Sequence, residues 1–288
     1  MEELDEAELR DLRQLLRVLD KIDPWLEVVA SDEPSGVWIV QDRSPLSTDD
    51  RRTHPYRVSH RAWMAITVAV DFLHCLRRSL IQELREDRVS VRLHSYAQMG
   101  LLRGAVENAC CAIWLLGPPS RMERIINRLG LEWKELTPAY RLRELAGNQP
   151  PRTIEQRQQQ LIDLLLAANL PYTVPAGQDA NVAAARAARA ALRSVDYVDV
   201  VRRAGELTPP VGAVSAEATW RMCSGLAHGD ASATLGLLAT AVAEQVQPGI
   251  KLMRISAHVQ MMYVATLVAY VLTARAFELL RARTLAPY

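Results

Sequence analysis

The sequence predicts an all-α fold, and three observations carry the reading. Aromatic residues are only 6% of the chain while Ala, Leu and Arg are abundant, a mix that favours helices over a β-sandwich or barrel. Apolar residues recur at three- and four-residue spacing in most segments between Pro and Gly punctuation. The middle third holds too few turn signals for an independent β domain. The expected architecture is a bundle of long antiparallel helices with a helical insertion and an irregular N-terminal arm.

The elements follow in chain order. Residues 4–20 place Leu4, Leu9, Leu12, Leu15, Leu16 and Leu19 on one side of a helix that Asp23-Pro24 ends. Residues 21–58 carry Pro24, Pro34, Gly36, Pro45 and Pro55 and form an irregular arm, with Val37 to Val40 as a short strand or a strip laid on the bundle. Asp49-Asp50-Arg51-Arg52 reads as a solvated loop, and neighbouring His54 and His60 lack a carboxylate or Cys at ligand spacing, so no metal is expected.

The bundle domain, residues 59–288, begins with long helices at 59–87 and 91–116, the second stopped by Gly117-Pro118-Pro119. The insertion, at about 120–212, reads as short helices at 120–130, 132–146 and 152–169, a turn at 171–177, and helices at 181–193 and 196–203. Arg186, Arg189 and Arg193 share one side of the alanine-rich helix, the one basic stripe able to meet phosphate; a solvated face is the competing account. The last third gives helices at 216–228, 231–246 and 249–283. Residues 255–274 contain no Asp, Glu, Lys or Arg, yet His258, Gln260 and several hydroxyls favour a buried bundle helix over a membrane span, with His258 a core histidine.

Composition sets limits on function. The net charge of +1 argues against a basic nucleic-acid-binding domain. Cys75, Cys110, Cys111 and Cys223 form no CxxC pair and fit small core residues of a cytoplasmic protein. The acidic N-terminus is unlike a signal peptide. No phosphate-binding Gly loop, GxSxG, HExxH or dinucleotide fingerprint is present, and no cofactor is expected.

Polar and small residues converge at one place, residues 217–230. On a helix, Arg221 and His228 lie two turns apart on nearly one face, with Ser224 between them and Glu217 a turn before. Gly229 would stop that helix and Asp230 would cap the next. A second cluster, Arg103 and Glu107 one turn apart with Asn108 adjacent, sits on an otherwise apolar helix as site support or a structural ion pair. A guanidinium can clamp a phosphate while an imidazole moves a proton, and RNA supplies its own 2′-hydroxyl nucleophile. The competing account is a helix-end histidine, with Arg221 bridging to Glu107 or Glu217.

The spacing Arg221-x6-His228 resembles the Arg-x4-6-His motif of the HEPN superfamily of helical domains, which includes toxins and abortive-infection defence proteins. The pairing of residues 101–109 (Leu-Leu-Arg-Gly-Ala-Val-Glu-Asn-Ala) with residues 220–229 is similar to a group of bacterial all-helical proteins. The resemblance covers these two helices and their neighbours, not the middle third. It implies a metal-independent endoribonuclease in which His228 is the general acid or base and Arg221 the transition-state clamp. It also implies a homodimer with two motifs facing one cleft, and RNA as partner. Met222 follows Arg221 where active members often carry a polar residue, and inactive relatives keep the fold as binding modules. The alternative is therefore a non-catalytic helical module that binds a small molecule or a protein partner. A hollow lined by Trp, Met and Leu beside the motif would favour the small molecule.

Overall fold

The computed structural model describes residues 5–31, 39–84, 89–148, 150–247 and 250–286. The expected Val37–Val40 strand falls largely outside them. The fold is all-α: among the described residues there are twelve helices and two small antiparallel hairpins. In order these are α1 (Glu6–Asp20), α2 (Asp23–Ala30), α3 (Pro45–Thr53), α4 (Val58–Leu80), β1 (Ile81–Leu84), β2 (Val89–Val91), α5 (Ala97–Leu116) and α6 (Arg121–Leu145). They continue as α7 (Ile154–Ala167), α8 (Ala180–Arg193), α9 (Tyr197–Glu206), α10 (Gly212–Ala227), α11 (Ala231–Leu237), β3 (Ala239–Gln247), β4 (Ile250–Ser256) and α12 (Val259–Thr284).

The chain divides into two compact units. One unit comprises residues 1–35, 65–111 and 201–277; the other comprises residues 36–64, 112–200 and 278–288.

In the first unit, α1 starts at a reciprocal capping box, Asp5 accepting from the Glu8 amide while Glu8 accepts from the Asp5 amide. Leu15, Leu19, Leu73, Leu76, Met99, Leu102, Met262 and Leu272 are fully buried or nearly so, each contributing about 1.5–3 kcal/mol by leaving water. Gly104 on α5 is forced by packing, because a Cβ there would fall on the Phe72 ring of α4.

In the second unit, α6, α7 and α8 pack on one another, and α3 packs on α6 and α7. Ile125, Leu129, Trp133, Leu161, Leu165, Ala188 and Leu192 form the shared core. The expected pair of helices at 120–130 and 132–146 is one 25-residue helix, α6. Gly130 sits inside it, where a Cβ would meet the Val195 side chain at 2.7 Å, so this glycine marks a close approach and not a break.

The arm is more ordered than its prolines suggest. Pro45 sits in the first turn of α3, where a missing amide costs nothing, and Ser44 caps that turn through the Ser47 amide. The stretch expected as a solvated loop lies on α3 with Asp49 and Asp50 buried. Asp49 receives two bonds from Arg124, Nε at 2.6 Å and Nη2 at 3.2 Å, with Arg121 Nε at 3.4 Å. Asp50 receives the Ser59 amide at 2.9 Å and its hydroxyl at 2.5 Å. Burial pushes the Asp49 carboxyl above its ordinary value despite the Arg124 guanidinium.

Three expected helices are corrected by strands. The helix expected at 59–87 ends at Leu80 and gives way to β1; the one expected at 231–246 ends at Leu237 and continues as β3. The helix expected from 249 starts at Val259, because residues 250–256 pair with β3. The alternating residues Thr240 and Val242, and Ile250 and Leu252, satisfy a period of two as well as a helical one.

Candidate ligand-binding site

Helix α10 closes as its sequence anticipates. His228 caps the helix just past Ala227, Gly229 takes a φ of +68°, and Asp230 starts α11 by accepting from the Ala233 amide at 3.0 Å. The Asp230 amide reaches back to the Gly225 carbonyl at 2.9 Å and the Gly229 amide to Leu226 at 3.0 Å, a Schellman closure. Only glycine enters that left-handed turn without strain.

The polar face of α10 is an ion-pair network. Arg221 Nε lies 2.7 Å from Glu217 Oε1, and Arg202 Nη1 lies 2.6 Å from Oε2 of the same carboxylate. The bond from Arg221, then that from Arg202, hold Glu217 below its ordinary value. The Arg221 side chain is nonetheless 58% exposed, Ser224 is partly exposed and His228 is exposed.

The α5 cluster meets α10 one residue away from that stripe. Glu107 accepts from the Trp220 indole at 3.1 Å and faces Arg103 Nη2 at 3.4 Å. Asn108 turns back onto the Gly104 carbonyl at 2.9 Å and is used within its own helix. Glu107 therefore anchors Trp220 and pairs with Arg103, while Arg221 bonds Glu217. The three arginines of the basic stripe are exposed on α8, in the second unit, and Arg193 lies over the Trp133 ring at 5.7 Å.

Beside the stripe, the apolar side of α10 and the start of α12 line an open hollow of about 850 Å³. Its walls include Met222 and Ala218 from α10, and Met261, Val264, Leu267 and Val268 from α12. The helices run antiparallel here. The pairing of Ala239 with Ser256 ties the end of α11 to the start of α12, and Arg275 Nε donates to the Leu207 carbonyl at 3.1 Å at the far end. The volume falls in the range that holds a small organic ligand.

Polar groups in the walls are few. Ser215 and Thr219 sit one turn apart on α10, while His258 and Gln260 stand at one end. His258 is thus corrected from a core histidine to an exposed side chain at the head of α12. It is the one titratable side chain among the described residues lining the hollow, and neither Arg221 nor His228 lines it.

Sequence reasoning missed this hollow, since an exposed apolar wall and a buried one share a composition. Its signal was the uncharged run 255–274, whose helical part supplies one wall. α5 and α12 are long and apolar enough to cross a membrane by length and composition, and more than half of the most apolar stretch of each is buried in this fold.

Cys110 and Cys223 are buried, and burial pushes the Cys223 thiol up to about 12, a value at which it is not a nucleophile at neutral pH. Among the described residues no three His, Cys, Asp or Glu side chains converge to hold a metal ion. Comparison of the chain with protein-family models, with curated proteins and with solved structures found no match in any of the three.

Proposed function

We propose that this chain is a non-catalytic helical module that binds an apolar small molecule between α10 and α12. The observation that carries the reading is the 850 Å³ hollow itself, walled by Val, Leu and Met with a single titratable group at its end. A neutral fluorophore that brightens in apolar surroundings, N-phenyl-1-naphthylamine, tests it. Saturable brightening by wild type that is lost in Val268→Arg, with the variant's helical circular dichroism intact, is the expected result. No saturable brightening by folded wild type overturns the reading.

A second reading, the HEPN-like metal-independent ribonuclease, is favoured by one feature. Arg221, Ser224 and His228 are all at least partly exposed on one side of α10, next to a helix end fixed by Gly229. In this reading two copies bring their motifs to one RNA strand and the protein acts in defence. Labelled RNA incubated in chelator with wild type, His228→Ala and Arg221→Ala decides it. Cleavage lost in both variants supports the reading, and no cleavage by wild type, or cleavage surviving both changes, overturns it.

A further inference from the structure

We infer that the ligand of the α10–α12 hollow is a single-chain amphiphile with an anionic head, its acyl tail lying along α12 and its head held by His258 and Gln260. The inference rests on the binding reading above and names the class of ligand.

Polarity along the hollow is one-sided. His258 and Gln260 stand at the end where α12 begins; Leu267, Val268 and Val271 line the wall beyond, and Pro210 and Val211 lie at the other end. Past that end the Arg275 bond to the Leu207 carbonyl ties the two chain segments together. From residue 258 to residue 271 the wall runs about 20 Å at 1.5 Å per residue, about the length of an extended sixteen-carbon chain.

A uniformly apolar ligand would gain nothing from the imidazole and amide, and a polar ligand would leave the long wall unmatched. An amphiphile matches both ends. The sign of the head follows from the rim: imidazole N–H and amide N–H₂ donate to a carboxylate, and no Asp or Glu among the described lining residues repels it. Ser215 and Thr219 add two hydroxyls on the α10 wall without altering the one-ended arrangement of the nitrogen donors.

The test displaces N-phenyl-1-naphthylamine from wild type with palmitate and with 1-hexadecanol, which share a chain and differ in head charge. Palmitate should displace the probe at roughly tenfold lower concentration, the ratio that one charge-assisted bond supplies. In His258→Ala/Gln260→Ala the two ligands should become equal. If the probe binds and palmitate is no better than hexadecanol, or its advantage survives the double substitution, the inference is overturned and the binding reading stands. If neither the probe nor either ligand binds, the binding reading fails with it. Light scattering on Val268→Arg adds a further outcome: a halving of the mass shows that a second copy fills the hollow, which overturns both.

Discussion

Glu107 accepts the indole N–H of Trp220 at 3.1 Å, joining the acidic residue of an apolar helix to the helix that carries the Arg221–His228 stripe. The same carboxylate faces Arg103, so one anion satisfies two donors from two elements. Removing it as Glu107→Ala leaves the indole and the guanidinium without their acceptor and should cost about 1–3 kcal/mol, read by urea denaturation. Glu107→Gln keeps an acceptor for Trp220 and should cost less. Equal losses in the two variants would show that charge, not the bond to Trp220, is what matters.

Asp49 should be the more sensitive carboxylate. Its side chain is fully buried and doubly bonded by Arg124, which also donates to the Pro118 carbonyl at 2.8 Å. Asp49→Ala strands a buried guanidinium and should destabilise the second unit by about 3–5 kcal/mol. Replacing both partners, Asp49→Leu with Arg124→Met, should recover most of that, since no charge is then left alone. A double variant no better than the single would refute the pairing as the cause.

Gly104→Ala tests the close approach of α5 to α4. The new methyl falls on the Phe72 ring and should cost about 1–3 kcal/mol, although alanine is the better helix former. Adding Phe72→Ala should return part of the loss. A stabilised Gly104→Ala protein would contradict the packing described.

The Glu217 network gives a pH dependence of known sign. Its folded pKa lies below the ordinary 4.5, chiefly through the bond from Arg221 and then that from Arg202. A depressed carboxylate adds stability that is fully present above its unfolded pKa and is lost as pH falls through the folded one. Stability of wild type should therefore drop more steeply below about pH 4.5 than that of Glu217→Gln, with the curves parallel at neutral pH. Parallel curves throughout the acid limb would show that the bonds do not persist in solution.

The capping of α10 illustrates what a sequence carries. Gly229 and Asp230 announce a stop and a restart, and both occur where expected, because a left-handed turn and an N-cap are local requirements of the backbone. The same holds for the all-α class and for the ends of α1 and α8.

Asp49 and His258 show what it does not carry. Two adjacent acids beside two arginines suit a solvated loop, and it takes Arg124, 75 residues away, to hold Asp49 buried and Ser59 to hold Asp50. A histidine in an uncharged run suits a core, and only the placement of α10 against α12 leaves it at the lip of a hollow. Residues 239–256 have a pattern that either helix or strand satisfies, and cross-strand pairing decided it.

Local backbone chemistry was thus determined by the sequence where a cap or a left-handed turn fixes it, as at Gly229 and Asp230. Tertiary structure alone decided which helical faces meet. Burial, ion pairing and the shape of an empty space depend on residues far apart in the chain, and the free energy of each contact exists only once both partners are in place.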